Sequence, residues 1–535
     1  MDSGHASSVR ACPLSPARLH RLALLCSALI VLLREAAALE VPACPARLDA
    51  DVLVLGAGIA GISAGKALHE NGVEDFLIIE GTDRVGGRIR NQEFGGIRVE
   101  VGANWIHAVD PTGDAPKVNP IWELREKCGL EVAINDWEDS VVYDGDGNEI
   151  DDDAFRYEDF ETAFNRVVEM SKDLGAQGKG EVTGELILSG VNVTSLVGPR
   201  GDVNLKDAFA AAGWTAETPE DVFVEYAELD DCSGERPDKL GLKHFKSSVE
   251  VFEAFGEEDA FVTDQRGHAQ VVRCLAEDFL VDGDDRLRLS APVRAMRYRD
   301  ECVCVDIVPE GGKAGNETVC GRYAIATFSS GVLQDSAFSE SPFVEMSPPL
   351  PDWKRDALSL TNMTVYLKIF ARFSAAFWDD VEFIGRAATP PNAAMDWASF
   401  LPMSLSSGKF APIPANTPII IANVAGDLAR RLARQTVEEN TEEMMAVLRG
   451  IYGPDIPPPE EVFIPDLHNS PFFRGSWTNY LEGASQETVE LLRVPLGALH
   501  FAGGYTSVKY LEFTQGAHLE GLRVGQAVAT KILTK

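Results

Sequence analysis

The chain has 535 residues, 45% hydrophobic and 24% charged, an ordinary composition for a globular protein with room for two to four cores. Its formal net charge of −35 argues against nucleic acid as a partner and favours cationic ligands through long-range attraction.

Arg10, Arg18 and Arg21 precede an apolar run over residues 22–33, and Ala36, Ala37 and Ala38 come after it. This is the pattern of a signal peptide over residues 1–38, and it implies a secreted or secretory-pathway protein. The run is too short for a stable membrane span. An uncleaved anchor and an organelle transit peptide remain alternatives, because the basic region is long.

Residues 51–80 organise the rest. Val52, Leu53, Val54 and Leu55 read as a buried parallel strand. Gly56, Gly58 and Gly61 follow at dinucleotide spacing. They supply the tight turn, the close backbone approach to a pyrophosphate, and close helix–strand packing. A helix over 60–71 aims its N-terminus at the phosphates. A second strand over 76–79 ends at Glu80, whose carboxylate suits ribose hydroxyls. That acid fits FAD or NAD and disfavours NADP.

Arg84, Gly86, Gly87 and Arg88 come next, and Gly102 to His107 read GANWIH. Both stretches resemble the flavin amine oxidase family, and FAD-dependent polyamine oxidases within it. The resemblance implies FAD as cofactor, with Arg88 at the pyrophosphate. It implies Gly102, Ala103, Asn104 and Trp105 at the flavin face, and His107 towards the substrate. A neutral histidine there holds an amine or shuttles a proton.

Along the chain, 99–102 reads as a strand with a turn over 103–107, 110–119 as a loop and 120–128 as a helix. A hairpin is expected over 141–150, a charged helix over 151–174, a surface insertion over 172–201, and helices over 205–213 and 219–229. By resemblance Glu235 is the cavity carboxylate for a distal ammonium, with Asp230 and Asp231 competing for the role. Residues 261–272 return to the first domain. The resemblance places the Val293 backbone against adenine, and Gly331 to Gln334 match a family signature.

A strand over 364–373 carries Lys368 among Leu367, Ile369 and Phe370, a setting hard to reconcile with a solvated surface. The resemblance gives Lys368 a water near flavin N5 and Tyr366 a place on the substrate wall. Trp353, Phe377 and Trp378 are expected in the core of the second domain. A strand over 419–424 and a helix over 436–452 are scaffold. Trp477, in 475–480, resembles the family aromatic beside the isoalloxazine, and Phe513 occupies the position of its partner. Residues 503–507 read GGYTS where relatives carry GEHTS-like sequences, so Gly504 replaces an acid that meets a ribityl hydroxyl. Weaker FAD binding, or a substituting water, is expected. The last helix, over 513–528, would point its N-terminus, with Thr514, at the pyrimidine end of the flavin.

Seven cysteines remain beyond the leader, so at least one thiol is free. Cys302 and Cys304 share a strand face and cannot easily bridge. Neither zinc spacing nor a disulfide framework is evident, and no metal is expected. Asn192 and Asn316 head glycosylation sequons in loops, whereas that at Asn362 runs into a strand and is expected to be inaccessible.

The expected fold is α/β: a doubly wound, Rossmann-like FAD-binding domain with a second α+β substrate domain. The first is expected over 45–115, 262–334 and 470–535, the second over 116–261 and 335–469. The implied reaction is oxidation of a secondary amine of spermine or spermidine by hydride transfer to the flavin. Its products are an aminoaldehyde, an amine and, with O2, hydrogen peroxide. Oxidation of monoamines or L-amino acids, and flavin binding without turnover, are the alternatives.

Overall fold

The computed structural model describes residues 43–176, 185–308, 316–391, 393 and 395–534. The leader expected over 1–38 lies outside the described residues, as does part of the insertion expected over 172–201.

Ala50–Leu55 forms a strand whose residues 52–55 are fully buried, as a continuous apolar run demands. It sits in an eight-stranded sheet in the order Leu287–Arg288, Phe76–Ile79, Ala50–Leu55, Glu317–Ala326, Val303–Ile307, Val293–Tyr298, Glu345–Ser347. Leu499–Phe501 pairs in parallel with Glu317–Ala326. Three distant pieces of chain therefore share one sheet. The helix Ile59–Glu70 covers it and packs on the last helix, Thr514–Leu533. A Cβ at Gly521 would lie 2.1 Å from Ala60 O and one at Gly525 2.5 Å from Ala64 O, so two glycines four apart set that approach.

Two segments expected in the second domain pack here instead. Glu345–Ser347 pairs in parallel with Val293–Tyr298. The helix Pro120–Lys127 buries Ile121 in the same core.

The second layer is a six-stranded sheet in the order Glu461–Phe463, Tyr366–Arg372, Ile419–Ala425, Ser399–Pro402, Phe383–Arg386, Ser140–Tyr143. Period-2 alternation along Tyr366–Arg372 sends Leu367, Ile369 and Ala371 into a core shared with the helix Val437–Tyr452. Phe377 and Trp378 pack on that core as expected, but Trp353 is 37% exposed, because its helix turns it outward. The helices Tyr157–Ala176, Leu205–Ala212 and Leu242–Phe255 form a separate core around Phe160, Phe209 and Trp214. Trp105–Val109 is a strand, not the expected turn. It pairs with Glu258–Val262, which pairs in turn with Val132–Ile134. Its aromatic and β-branched residues suit that pleated surface.

The expectation of no disulfide framework is overturned. Cys44–Cys302, Cys128–Cys274 and Cys304–Cys320 are bridged, and Cys232 is the free cysteine among the described residues. Cys302 and Cys304 do not bridge each other. Each reaches a different chain segment.

No helix among the described residues is long and apolar enough to cross a membrane.

Candidate active site

A cavity of about 1550 Å³ draws its walls from both sheets and from the helical core. It exceeds the ~300–1,000 Å³ usual for a small-molecule site. One end is the glycine turn. Gly56 has φ +110°, open to glycine but strained for other residues. A Cβ at Gly61 would lie 1.9 Å from Gly56 O, whereas one at Gly58 would meet nothing nearer than Gly87 Cα at 3.9 Å. Gly58 is also the N-cap of the helix Ile59–Glu70 and has no side chain to satisfy the first N–H groups, which leaves them for an anion.

Glu80 is buried at the end of the second strand. Its Oε2 accepts from Ala57 N at 2.7 Å, and its Oε1 from Thr82 N at 2.8 Å and Thr82 Oγ1 at 2.7 Å. These three donors fix the carboxylate where it lines the cavity. Arg84 holds the adjoining loop by donating to Val85 O, Ile89 O and Gly87 O. Arg88 donates to Ser476 O at 2.9 Å and pairs with Glu512 at 3.0 Å. Val293 is buried and lines the same end.

Further along, Gly102 passes so close to the preceding loop that a Cβ would lie 1.7 Å from Arg88 O. This brings Ala103, Asn104 and Trp105 to the cavity wall. Lys368 arrives from the facing sheet, on the strand face opposite Leu367 and Ile369. Its Nζ donates to Gly102 O at 2.7 Å, Asn104 Oδ1 at 3.0 Å and Glu100 O at 3.2 Å. Burial lowers its pKa to about 7, with Glu100 and Asp231 opposing. Burial likewise raises that of Glu100 to about 7, against the His268 N–H bond and Lys368. Lys368 is thus a buried amine that bridges the two layers, not an edge lysine.

His107 lines the cavity with Nδ1 3.0 Å from Asp259 Oδ1. Burial opposes its charge, but the charge and hydrogen bond of Asp259 prevail and raise its pKa. The expectation of a neutral histidine is shifted towards an imidazolium–carboxylate pair. Phe513 stands edge-on to His107 at 5.7 Å, and Tyr366 meets Trp477 at 5.1 Å. Trp477 is fixed by donating from Nε1 to Ser233 O at 3.1 Å.

Glu235 is corrected. Its side chain is fully buried away from the cavity, paired with Arg430 and with Lys239 at 3.0 Å, and accepts from Asn362 Nδ2 at 2.9 Å. Burial raises its pKa, but those partners outweigh it and hold the carboxyl low. Asn362 is half-buried and committed to that contact. Asp230 is buried with Oδ1 unpartnered and does not line the cavity. Asp231 does. A π-helical turn at Tyr226–Asp230 turns it inward, and Tyr226 OH and Tyr366 OH both donate to its Oδ1, at 2.9 and 3.1 Å. Oδ2 is left for a ligand.

The structure adds wall residues that the sequence reading missed. Trp137, 51% exposed where the cavity meets solvent, stacks on Phe383 at 4.3 Å. Glu138, Asp152, Glu228, Glu257 and Asp259 join Asp231 at this end, where Lys368 is the one lysine or arginine among the described residues.

At the third contact Gly504 lines the cavity beside Glu512 and Thr514, the first residue of the last helix. Phe513, the N-cap, makes no side-chain cap, so that helix also offers free N–H groups to the cavity. The glycine turn, the carboxylate at the strand end and two uncapped helix N-termini fit a dinucleotide, and the remaining volume leaves room for a second molecule.

Residues 59–529 match the family model of flavin-containing amine oxidoreductases. The chain is 31% identical to polyamine oxidase 6 of Oryza sativa subsp. japonica, over 88% of this chain and 89% of that one. It is 30% identical to polyamine oxidase 1 of Zea mays, over 88% of each. Among solved structures, a cyclohexylamine oxidase from Brevibacterium oxydans superposes with a TM-score of 0.65 at 19% identity, covering 91% of this chain and 100% of that one. A putrescine oxidase bound to putrescine gives 0.64 at 18%, with the same coverage. These two likenesses concern the fold.

Proposed function

The chain belongs to the flavin-containing amine oxidoreductase family, and we propose that it oxidises a secondary amine of a polyamine of the spermine or spermidine class. FAD is the cofactor and supplies the two-electron acceptor. Gly56, Gly58, Gly61 and Glu80 would hold its nucleotide end, Arg88 its pyrophosphate, and Gly102, Ala103 and Asn104 its ring.

One observation carries the substrate class: among the described residues six carboxylates line the substrate end, where Lys368 is the one lysine or arginine. Such a wall favours a long polycation. Asp231 Oδ2 takes a remote ammonium, while both tyrosines hold Oδ1. Tyr366, Trp477 and Phe513 exclude water around the reacting nitrogen, which must be neutral for its lone pair to drive hydride loss from the adjacent carbon. The His107–Asp259 pair takes up or returns a proton at Nε2. Water then hydrolyses the iminium to an aminoaldehyde and an amine, and O2 would take up the two electrons lost by the amine, with two protons, and leave as hydrogen peroxide. Amino-acid oxidation needs an arginine for the carboxylate. Among the described residues the one arginine lining the cavity is Arg88, and it sits at the nucleotide end, where it is assigned to the pyrophosphate.

We also propose passage through the secretory pathway, which three disulfides support as the mark of an oxidising compartment. Peroxide release from spermine and spermidine, against benzylamine and alanine, tests the substrate reading. A kcat/KM about 10- to 100-fold higher for the polyamines is expected from the charge-assisted contact with Asp231. An equal or higher value for benzylamine overturns it.

A further inference from the structure

We infer that Glu512 takes over, from a different part of the chain, the flavin-holding role of the acid that GGYTS lacks at position 504. The two positions share one volume. A Cβ added at Gly504 would lie 2.9 Å from Glu512 Oε2 and 3.0 Å from Glu512 Cα, so the Glu512 side chain fills the space into which a residue at 504 would project. The backbones are joined as well, with Glu512 N donating to Gly504 O at 3.3 Å.

In the cofactor-free fold only one of the two Glu512 carboxylate oxygens is used, in the pair with Arg88. Glu512 has φ +59°, a left-handed conformation that favours glycine and strains other residues. Its side chain is 5% exposed and lines the cavity. Oε2 pairs with Arg88 at 3.0 Å, but Oε1 is buried without a hydrogen-bond partner. An orphaned carboxylate oxygen beside a strained backbone is unfavourable unless a ligand supplies the donor. Because Arg88 already answers the charge, the free oxygen suits a neutral hydroxyl better than a second cation. The sugar-alcohol chain that links the ring of FAD to its pyrophosphate is such a donor. The acid absent from 504 is therefore replaced by side chain rather than by water.

The test is FAD affinity, read by flavin fluorescence on stripped protein, together with the unfolding midpoint of that stripped protein. Glu512→Gly is expected to weaken FAD binding about tenfold or more, the range of a charge-assisted hydrogen bond. Its cofactor-free midpoint should hold, since relief of the strained φ offsets the loss of the pair with the partly exposed Arg88. A merely structural glutamate would lower that midpoint instead. Gly504→Glu alone should also weaken binding, because the two side chains collide. The double variant Gly504→Glu/Glu512→Gly should return to within about threefold of the parent, the acid having been restored from the other side. If Glu512→Gly does not fold, Glu512→Gln serves, with a loss of at least about threefold expected from the weaker acceptor. The proposal is overturned if Glu512→Gly, or in its place Glu512→Gln, binds FAD within twofold of the parent, or if the double variant binds no better than Glu512→Gly. Binding of FAD by the parent is the control, and it is independent of which amine is oxidised.

Discussion

At the Gly56 end of the cavity the walls are backbone, while at the Asp231 end they are side chains. The first end is drawn largely from residues 56–88, where one strand, one turn and one helix bring every group to its place. The second takes Asp231 from a π-helical turn, Asp259 and Lys368 from strands in different sheets, Trp477 from near the strand Thr478–Tyr480, and Phe513 from a helix cap. A site made of backbone tolerates almost no change at its contact points. A site made of side chains is altered one group at a time.

The largest expected effect lies within the backbone end and separates packing from binding. Gly61→Ala sets a methyl 1.9 Å from Gly56 O, so the turn must move. A loss of about 3 kcal/mol in stability is expected, at the upper end for overpacking, with no FAD retained. Gly58→Ala meets nothing closer than 3.9 Å in the protein, so the cofactor-free unfolding midpoint should be unchanged while FAD affinity falls. Equal midpoints for the two variants would mean that Gly61 is not a packing glycine.

The same contrast explains what could be read in advance. Strand, turn, helix and acid fall in order within residues 51–80, so local rules suffice, and the helix Ile59–Glu70 lies within a residue of its expected span. That Lys368 is a buried lysine rather than a solvated edge lysine was legible from the apolar residues around it in the strand Tyr366–Arg372. Asp231 was not singled out. Asp230, Asp231 and Glu235 look alike in sequence, and a single extra residue in the π turn at Tyr226–Asp230 decides which one faces inward, rotating the residues after the turn by roughly 100°. Two of the three disulfides were missed because partners 258 and 146 residues apart carry no spacing signal.

The next effect tests the choice among those acids. Asp231→Asn should raise KM for spermine about 10- to 100-fold through one lost charge-assisted contact, and should leave benzylamine within about twofold. A parallel loss for both amines would move the ammonium site elsewhere. Glu235→Gln should do the reverse. Removing the charge between Arg430 and Lys239 is expected to destabilise by about 2 kcal/mol, below the full figure for a buried pair because both cations are partly exposed. KM for spermine should not move. A raised KM at unchanged stability would return Glu235 to the substrate.

The smallest effect is a slope, and it asks whether Lys368 is held as a buried amine. Burial lowers its pKa from 10.5 to about 7, so between those values the unfolded chain keeps a proton that the folded chain has released. Stability attributable to this group therefore rises with pH, by at most about 1.4 kcal/mol per pH unit. Glu100, raised to about 7, acts with the opposite sign in a lower window. There the folded chain keeps a proton the unfolded chain has lost, and its contribution falls as pH climbs from about 4.5 to 7. Lys368→Met abolishes the alkaline slope and leaves the acid one. Urea midpoints of cofactor-free protein at pH 7 and 9 should show the parent gaining on the variant as pH rises. A gap that stays constant would mean that Lys368 is charged in the fold at both pH values. Its three acceptors, Glu100 O, Gly102 O and Asn104 Oδ1, match the three protons of an ammonium, so that outcome would recast it as a permanent cation on the cavity wall.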